Sequence, residues 1–272
     1  MAVLMEALVA LSLVVSGVLF VESFYRPALA RPARLVWTLA FLFLAAELGA
    51  DALRLHGFPA VTPHLFLDLL VFVATGAFLL AVRHPGWESL GGFLVPVLAA
   101  LWIAGLVFPG RVPGAVPPAL SGTWLAVHVV LAVTAYAAFL LAAAAGLMYL
   151  EKERELRNKE PRVFYYRLPA LQESDRCSRR LVEAGMVLLT LAMAGGVYWA
   201  RRVTGVYWAW TAKETWSLIT WGVYAVYLAG RWRGLGGHRA AWLSLAAFLF
   251  VAVNFFGVNL AVHGWHNYVG SR

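Results

Sequence analysis

The stretch from Gly122 to Leu150, G-T-W-L-A-V-H-V-V-L-A-V-T-A-Y-A-A-F-L-L-A-A-A-A-G-L-M-Y-L, contains no Asp, Glu, Lys or Arg. A helix needs ~20 residues to cross ~30 Å of hydrocarbon. This run is therefore long enough to span a bilayer and project beyond it. Further apolar segments lie near residues 3–24, 34–54, 63–83, 89–108, 181–200, 214–231 and 240–262. Of these, 214–231 is the shortest and is rich in aromatic residues. Composition agrees, with 62% hydrophobic and 13% charged residues, against roughly 45–50% and ~25% in soluble domains. The reading is an all-α integral membrane protein, a bundle of about eight transmembrane helices. It divides into an N-terminal four-helix membrane region, residues 1–110, and a second region, residues 111–272, with four helices and a charged loop at about 151–180.

The net charge of +8 is distributed as a topology signal and not as a nucleic-acid footprint. Of the 22 Lys and Arg residues, 16 fall in one alternate set of loops and 6 in the other. The richer side is expected in the cytoplasm, which puts both termini and the connection before residue 214 outside. The amino terminus, M-A-V-L-M-E-A-L, lacks a basic n-region and reads as a retained helix despite Ala28-Leu29-Ala30 downstream. Cys177 is the only cysteine, which excludes an intramolecular disulfide, a CxxC pair and a Cys-rich metal site. The run E-K-E-R-E-L-R-N-K-E from Glu151 reads as a solvated extension of the long helix, with i,i+4 neighbours such as Glu153 and Arg157.

Outside the apolar runs, the densest signal is Trp199 to Trp221, W-A-R-R-V-T-G-V-Y-W-A-W-T-A-K-E-T-W-S-L-I-T-W. It holds five of the chain's twelve tryptophans. Trp carries a large apolar face and an indole N–H that wants a partner, so such density suits a flat, aromatic-walled site. Seven histidines are present: His56, His64, His84, His128, His238, His263 and His266. His128 lies just inside the outer end of the fifth segment, and His263 and His266 close the last one. Both groups are expected on the face that carries the tryptophans. Two imidazoles above an aromatic platform match the axial nitrogens and flat walls a haem requires. The competing reading is an interfacial belt, because Trp, Tyr and His all accumulate at membrane surfaces. Elsewhere, Glu47, Asp51 and Arg54 form one set of ionisable groups at membrane depth and His64 and Asp68 another, with Asp68 placed to orient the His64 imidazole.

At Tyr207 to Trp221, Y-W-A-W-T-A-K-E-T-W-S-L-I-T-W, the sequence resembles the tryptophan-rich WWD signature of cytochrome c assembly proteins. The CcsA/ResC type of System II matches best, with the approximate pattern Y-W-x-W-D-P-K-E-T-W-x-L-I-T-W. D-R-C-S-R-R-L-V-E-A-G (Asp175 to Gly185), W-L-A-V-H-V (Trp124 to Val129) and N-F-F-G-V-N-L…G-W-H-N-Y also resemble that family's segments. The likeness covers about residues 120–268. It implies a protein that handles haem b and presents it outside the membrane for attachment to apocytochrome c, as a subunit of a haem lyase complex in the bacterial cytoplasmic membrane. A ResB/CcsB-like membrane partner is implied, and no nucleic acid. By position, His128 and His266 would be the external axial ligands, with His263 the rival for the second place. Trp199, Tyr207, Trp208, Trp210, Lys213 and Trp216 would flank the porphyrin. HemX-like regulators of haem synthesis share the eight-helix plan and are the alternative reading. CcmC-like components are generally six-helix.

Two positions depart from the family pattern. The signature Asp is Thr211 here, followed by Ala212 in place of Pro. Thr211-Ala-Lys-Glu214 fits the S/T-x-x-E capping box, so Thr can still start the following helix. The first-turn N–H groups and Lys213 would then favour an anion such as a haem propionate. The family's histidine after Y-x-x-Y-L in the seventh helix is Ala229 here, with His238 nine residues on in a Gly-rich loop. The resemblance therefore carries the external site and does not extend to an inner one.

Overall fold

The computed structural model describes residues 2–55, 63–83, 86–106 and 123–257. His56, His84, His263 and His266 lie outside the described residues, as does the linker P-G-R-V-P-G-A-V-P-P. Nine α-helices follow in order among the described residues: α1 (Ala2–Ser23), α2 (Ala30–Leu55), α3 (Pro63–Ala81), α4 (Leu90–Gly105), α5 (Thr123–Arg157), α6 (Val163–Arg167), α7 (Leu171–Thr204), α8 (Ala212–Trp232) and α9 (Gly237–Ala252). A π-helical turn, Val253–Gly257, closes α9. Among the described residues there is no strand.

The chain is an all-α integral membrane protein. Among the described residues seven helices are long and apolar enough to cross a membrane, and α8 is not one of them. Its 21 residues would extend about 31 Å at ~1.5 Å per residue, so length suffices. Lys213, Glu214, Arg231 and its hydroxyl and glycine positions lower its hydropathy. The polar groups are satisfied within the protein: Thr220 Oγ1 donates to the Trp216 carbonyl at 2.8 Å, and Arg231 reaches Asp175 on α7 at 2.6 and 2.8 Å. The expected boundary at residue 181 falls ten residues inside α7, which begins at Leu171 with a charged stretch exposed on one side and buried at Ser174 and Ser178 on the other.

Helix α5 is the hub. It packs most extensively on α7 and also contacts α3, α4, α6 and α9. Its run Ala142–Ala145 followed by Gly146 is buried or nearly so, and small side chains let helix backbones approach closely. A Cβ at Gly146 would stand 3.3 Å from the Ala241 carbonyl oxygen of α9. Lower on the same helix, Phe139 stacks on Tyr224 of α8 with ring centroids 3.7 Å apart. Gly185 of α7 leaves room for that ring, since a Cβ there would lie 2.5 Å from it. Among α1–α4, Phe20, Trp37 and Phe78 meet edge to face.

The charged run after residue 150 continues α5 as the sequence implies, to Arg157, and Glu153 pairs with Arg157 at 3.2 Å. Glu155 then accepts the backbone N–H groups of Arg162, Phe164 and Tyr165, which starts α6. At the same end, Asp175 accepts both terminal nitrogens of the buried Arg231 and the Gly237 N–H. One carboxylate thereby ties α7 to the end of α8 and the start of α9.

Candidate functional site

A cavity of roughly 1180 Å³, its open mouth included, lies between α5, α7, α8 and the π-helical turn. His128, Trp199, Trp208, Lys213 and Glu214 line it, together with apolar groups such as Leu125, Val129, Leu189 and Met193. Four of the residues singled out in the sequence are therefore brought together: His128, Trp199, Trp208 and Lys213.

His128 is the most constrained of them. Its Nδ1 lies 2.6 Å from the Ala192 carbonyl oxygen on α7. A carbonyl can only accept, so Nδ1 carries the hydrogen and donates it. In the neutral imidazole that leaves the lone pair on Nε2, which is the tautomer a metal ligand requires. The ring reaches this position because α7 is narrow opposite it. A Cβ at Gly196 would stand 2.9 Å from His128 Cε1 and 3.1 Å from Nδ1. His64 is differently placed. Its Nδ1 faces the Gly105 carbonyl at 2.8 Å and its Nε2 the Asp68 carboxylate at 3.3 Å. Both of its nitrogens face acceptors within the protein, which suits a buried polar tie between α3 and α4.

The aromatic segment between α7 and α8 divides into a part that faces the cavity and a part that faces away. Helix α7 ends at Gly205 in the left-handed conformation (φ 79°), a geometry glycine adopts without strain. Trp208 then turns into the cavity, and its buried indole nitrogen has no hydrogen-bond partner among the described residues. Tyr207 and Trp210 are exposed, at 62% and 69%. Tyr207 lies under the Arg201 guanidinium at 5.2 Å, and Trp210 meets Trp208 edge to face at 6.0 Å. Trp210 itself holds a positive φ of 54°, which is uncommon for a bulky residue. Trp216 is half-buried on α8 and is not part of the cavity wall.

The capping box expected from Thr211 and Glu214 is present. Thr211 Oγ1 accepts the Glu214 N–H at 3.3 Å, and the Glu214 carboxylate accepts the N–H groups of Thr211 and Ala209 at 2.9 and 3.0 Å. The loss of the signature Asp therefore leaves the helix start intact. Lys213, in the same first turn, faces the cavity. A cation held there against desolvation gains from any anion that joins it.

The cavity also contains groups that sequence reasoning assigned no role. Tyr136 of α5, Ser217 of α8 and Asn254 of the π turn form its polar floor. The Asn254 amide donates to Tyr136 Oη at 2.9 Å and to Ser217 Oγ at 3.3 Å. Ala192, Gly195 and Gly196 were equally silent. The available signals were the paired glycines within a helix and the spacing of Ser217, one turn after Lys213.

With this geometry in hand, comparison with known proteins is decisive. The family model described as "Cytochrome C assembly protein" matches residues 5–266. The chain belongs to that family. It is 32% identical over 262 residues to the cytochrome c biogenesis protein CcsA of Synechococcus sp. (strain CC9902), covering 86% of each chain. CcsA of Prochlorococcus marinus (strain MIT 9303) is 31% identical over 263 residues, covering 86% of this chain and 83% of that protein. CcsA of Synechococcus elongatus is 32% identical over 275 residues, covering 85% of each. The family match begins near the amino terminus, so the relationship includes α1–α4 as well as the segments that resembled the family by motif.

The cavity fits a haem in the chemistry of its donors. His128 offers a neutral imidazole with Nε2 free, Trp199 and Trp208 offer flat apolar surface, and the Trp208 N–H and Lys213 offer donors for an anionic edge. A second axial nitrogen does not come from the described lining, in which His128 is the one histidine.

Proposed function

We propose that this protein binds haem b in the cavity between α5, α7 and α8 and presents it for covalent attachment to apocytochrome c. The observation that carries the reading is the His128–Ala192 hydrogen bond, which fixes the ring in its metal-ligating tautomer beside an apolar, Trp-bearing cavity. His128, and His266 from the carboxyl-terminal segment, would be the ligands to the iron. Lys213 and the Trp208 N–H receive the propionate edge. Trp199 and Trp208 supply the aromatic wall, while Tyr207, Trp210 and Trp216 lie outside the cavity lining, Tyr207 and Trp210 being exposed beside it. Bound haem supplies an iron centre and vinyl groups able to form thioethers with cysteine thiols; the protein's residues hold it, orient it and shield one side from water.

Family membership and relatives named cytochrome c biogenesis protein CcsA support this reading over regulation of haem synthesis. The loop charge asymmetry supports an outward-facing cavity, with both termini outside, in a bacterial cytoplasmic membrane. The haem lyase is the complex of this chain with a ResB/CcsB-like membrane partner. The test is genetic. A strain lacking this chain should lose its covalently haem-bearing c-type cytochromes, the wild-type chain should restore them and His128→Ala should not. Unchanged cytochrome c levels together with altered haem-precursor levels would point to the regulatory reading instead.

A further inference from the structure

At the floor of the cavity, Tyr136, Ser217 and Asn254 come from three separate elements, 118 and 37 residues apart along the chain from Asn254. Asn254 is 1% exposed, and its Oδ1 has no hydrogen-bond partner among the described residues. A buried amide oxygen without a partner is rare and calls for an explanation. The residue is delivered there by the π-helical turn, a local distortion found frequently at functional sites. Its Nδ2 donates to both hydroxyl oxygens. Those two hydroxyls accept from the amide and also hydrogen-bond one another, so one hydroxyl hydrogen is left to donate. Among the described residues the floor therefore presents one unused acceptor beside one available donor, with no charge among the three.

That pattern is complementary to a neutral carboxylic acid. Its O–H donates to the Asn254 oxygen and its C=O accepts from the Tyr136 or Ser217 hydroxyl. An ionised carboxylate would have to face the Asn254 oxygen with no cation on the floor to offset it. Lys213, which lies on the same face of α8 one turn before Ser217, offers the opposite chemistry. The two positions differ by about 6 Å along the helix axis, four residues at ~1.5 Å each.

We infer that Tyr136, Ser217 and Asn254 form a second carboxyl-binding subsite, which holds one carboxyl group of a dicarboxylic tetrapyrrole in its protonated form while Lys213 holds the other as an anion. The inference rests on the haem reading of the cavity and assigns how the ligand's two acidic groups are told apart. Loss of one neutral hydrogen bond changes affinity roughly three- to tenfold.

The experiment titrates the purified full chain in detergent with haem b and, separately, with haem dimethyl ester, whose carboxyl groups cannot donate. Wild type, Asn254→Leu, Tyr136→Phe and His128→Ala are compared. Free haem should bind wild type more tightly than the diester. Asn254→Leu and Tyr136→Phe should weaken free haem roughly three- to tenfold and leave diester affinity within about twofold. Infrared spectra of wild type with 13C-propionate haem should show a label-sensitive protonated-carboxyl C=O band that Asn254→Leu removes. Tyr136→Phe keeps the ring packing, so it serves if Asn254→Leu fails to fold. Equal binding of acid and diester by wild type, equal weakening of both by the variants, or absence of the protonated-carboxyl band would overturn the subsite. With haem bound in a His128-dependent way, those results sink the subsite alone. If wild type takes up neither compound, the haem reading fails and the subsite with it.

Discussion

Replacing Gly196 by alanine should separate haem binding from folding. The added Cβ would stand 2.9 Å from His128 Cε1 and 3.1 Å from Nδ1, inside ordinary van der Waals contact. The ring cannot simply swing aside, because Nδ1 is held 2.6 Å from the Ala192 carbonyl. Relief requires breaking that bond, at ~0.5–1.5 kcal/mol, or displacing α7 from α5, an overpacking cost of ~1–3 kcal/mol. Against this, Gly→Ala in a helix interior gains ~1 kcal/mol. The balance for folding is a loss of at most about 2 kcal/mol, since relief by either route suffices. The balance for the ligand is worse, because helix propensity does nothing to restore the tautomer and aim of His128. Haem affinity should fall by about tenfold or more, which corresponds to ~1.4 kcal/mol. Gly195→Ala is the control: its Cβ would meet only His128 Cβ, at 3.9 Å, and should leave binding unchanged. Thermal unfolding in detergent and haem titration followed by the Soret band provide the two readouts. Wild-type haem affinity and spectrum in Gly196→Ala would refute the claim that packing against α7 poises His128.

Other consequences follow from particular contacts. Asp175→Asn removes the partner of the buried Arg231 and should cost about 3 kcal/mol, the low end for a broken buried pair, because Asp175 retains 24% exposure; urea unfolding of the detergent-solubilised protein measures it. Thr211→Ala removes the side-chain cap of α8 and should lower stability by about 1 kcal/mol, whereas Thr211→Asp should leave it within a few tenths; thermal melts compare the two.

Much of the fold was legible because membrane helices declare themselves by uninterrupted apolarity. The run at Gly122–Leu150 and its charged continuation correspond to a single helix, Thr123–Arg157. Helix α8 was harder to read. Its aromatic, hydroxyl-bearing and charged residues depress hydropathy, and only contacts with other elements, such as Arg231 with Asp175, show how those groups are accommodated. The start of α7 was missed for a related reason: its first turns are charged and exposed on one side, so apolarity begins later than the helix does. Within the site, the capping box was readable because both partners lie within four residues. Tyr136, Ser217 and Asn254 were not, because hydrogen bonds across 118 and 37 residues leave no local pattern. The division of the Trp-rich segment was equally hidden. Trp208 and Trp210 are two residues apart, yet one lines the cavity and the other is exposed.

The proposed function depends above all on His128 acting as a ligand to haem iron. The most direct test is the absorption and electron paramagnetic resonance spectrum of haem-loaded purified protein, wild type beside His128→Ala. Wild type should show a low-spin, bis-imidazole signature, replaced by a high-spin or haem-free state in the variant. An unchanged low-spin spectrum with full haem content in His128→Ala would contradict that role.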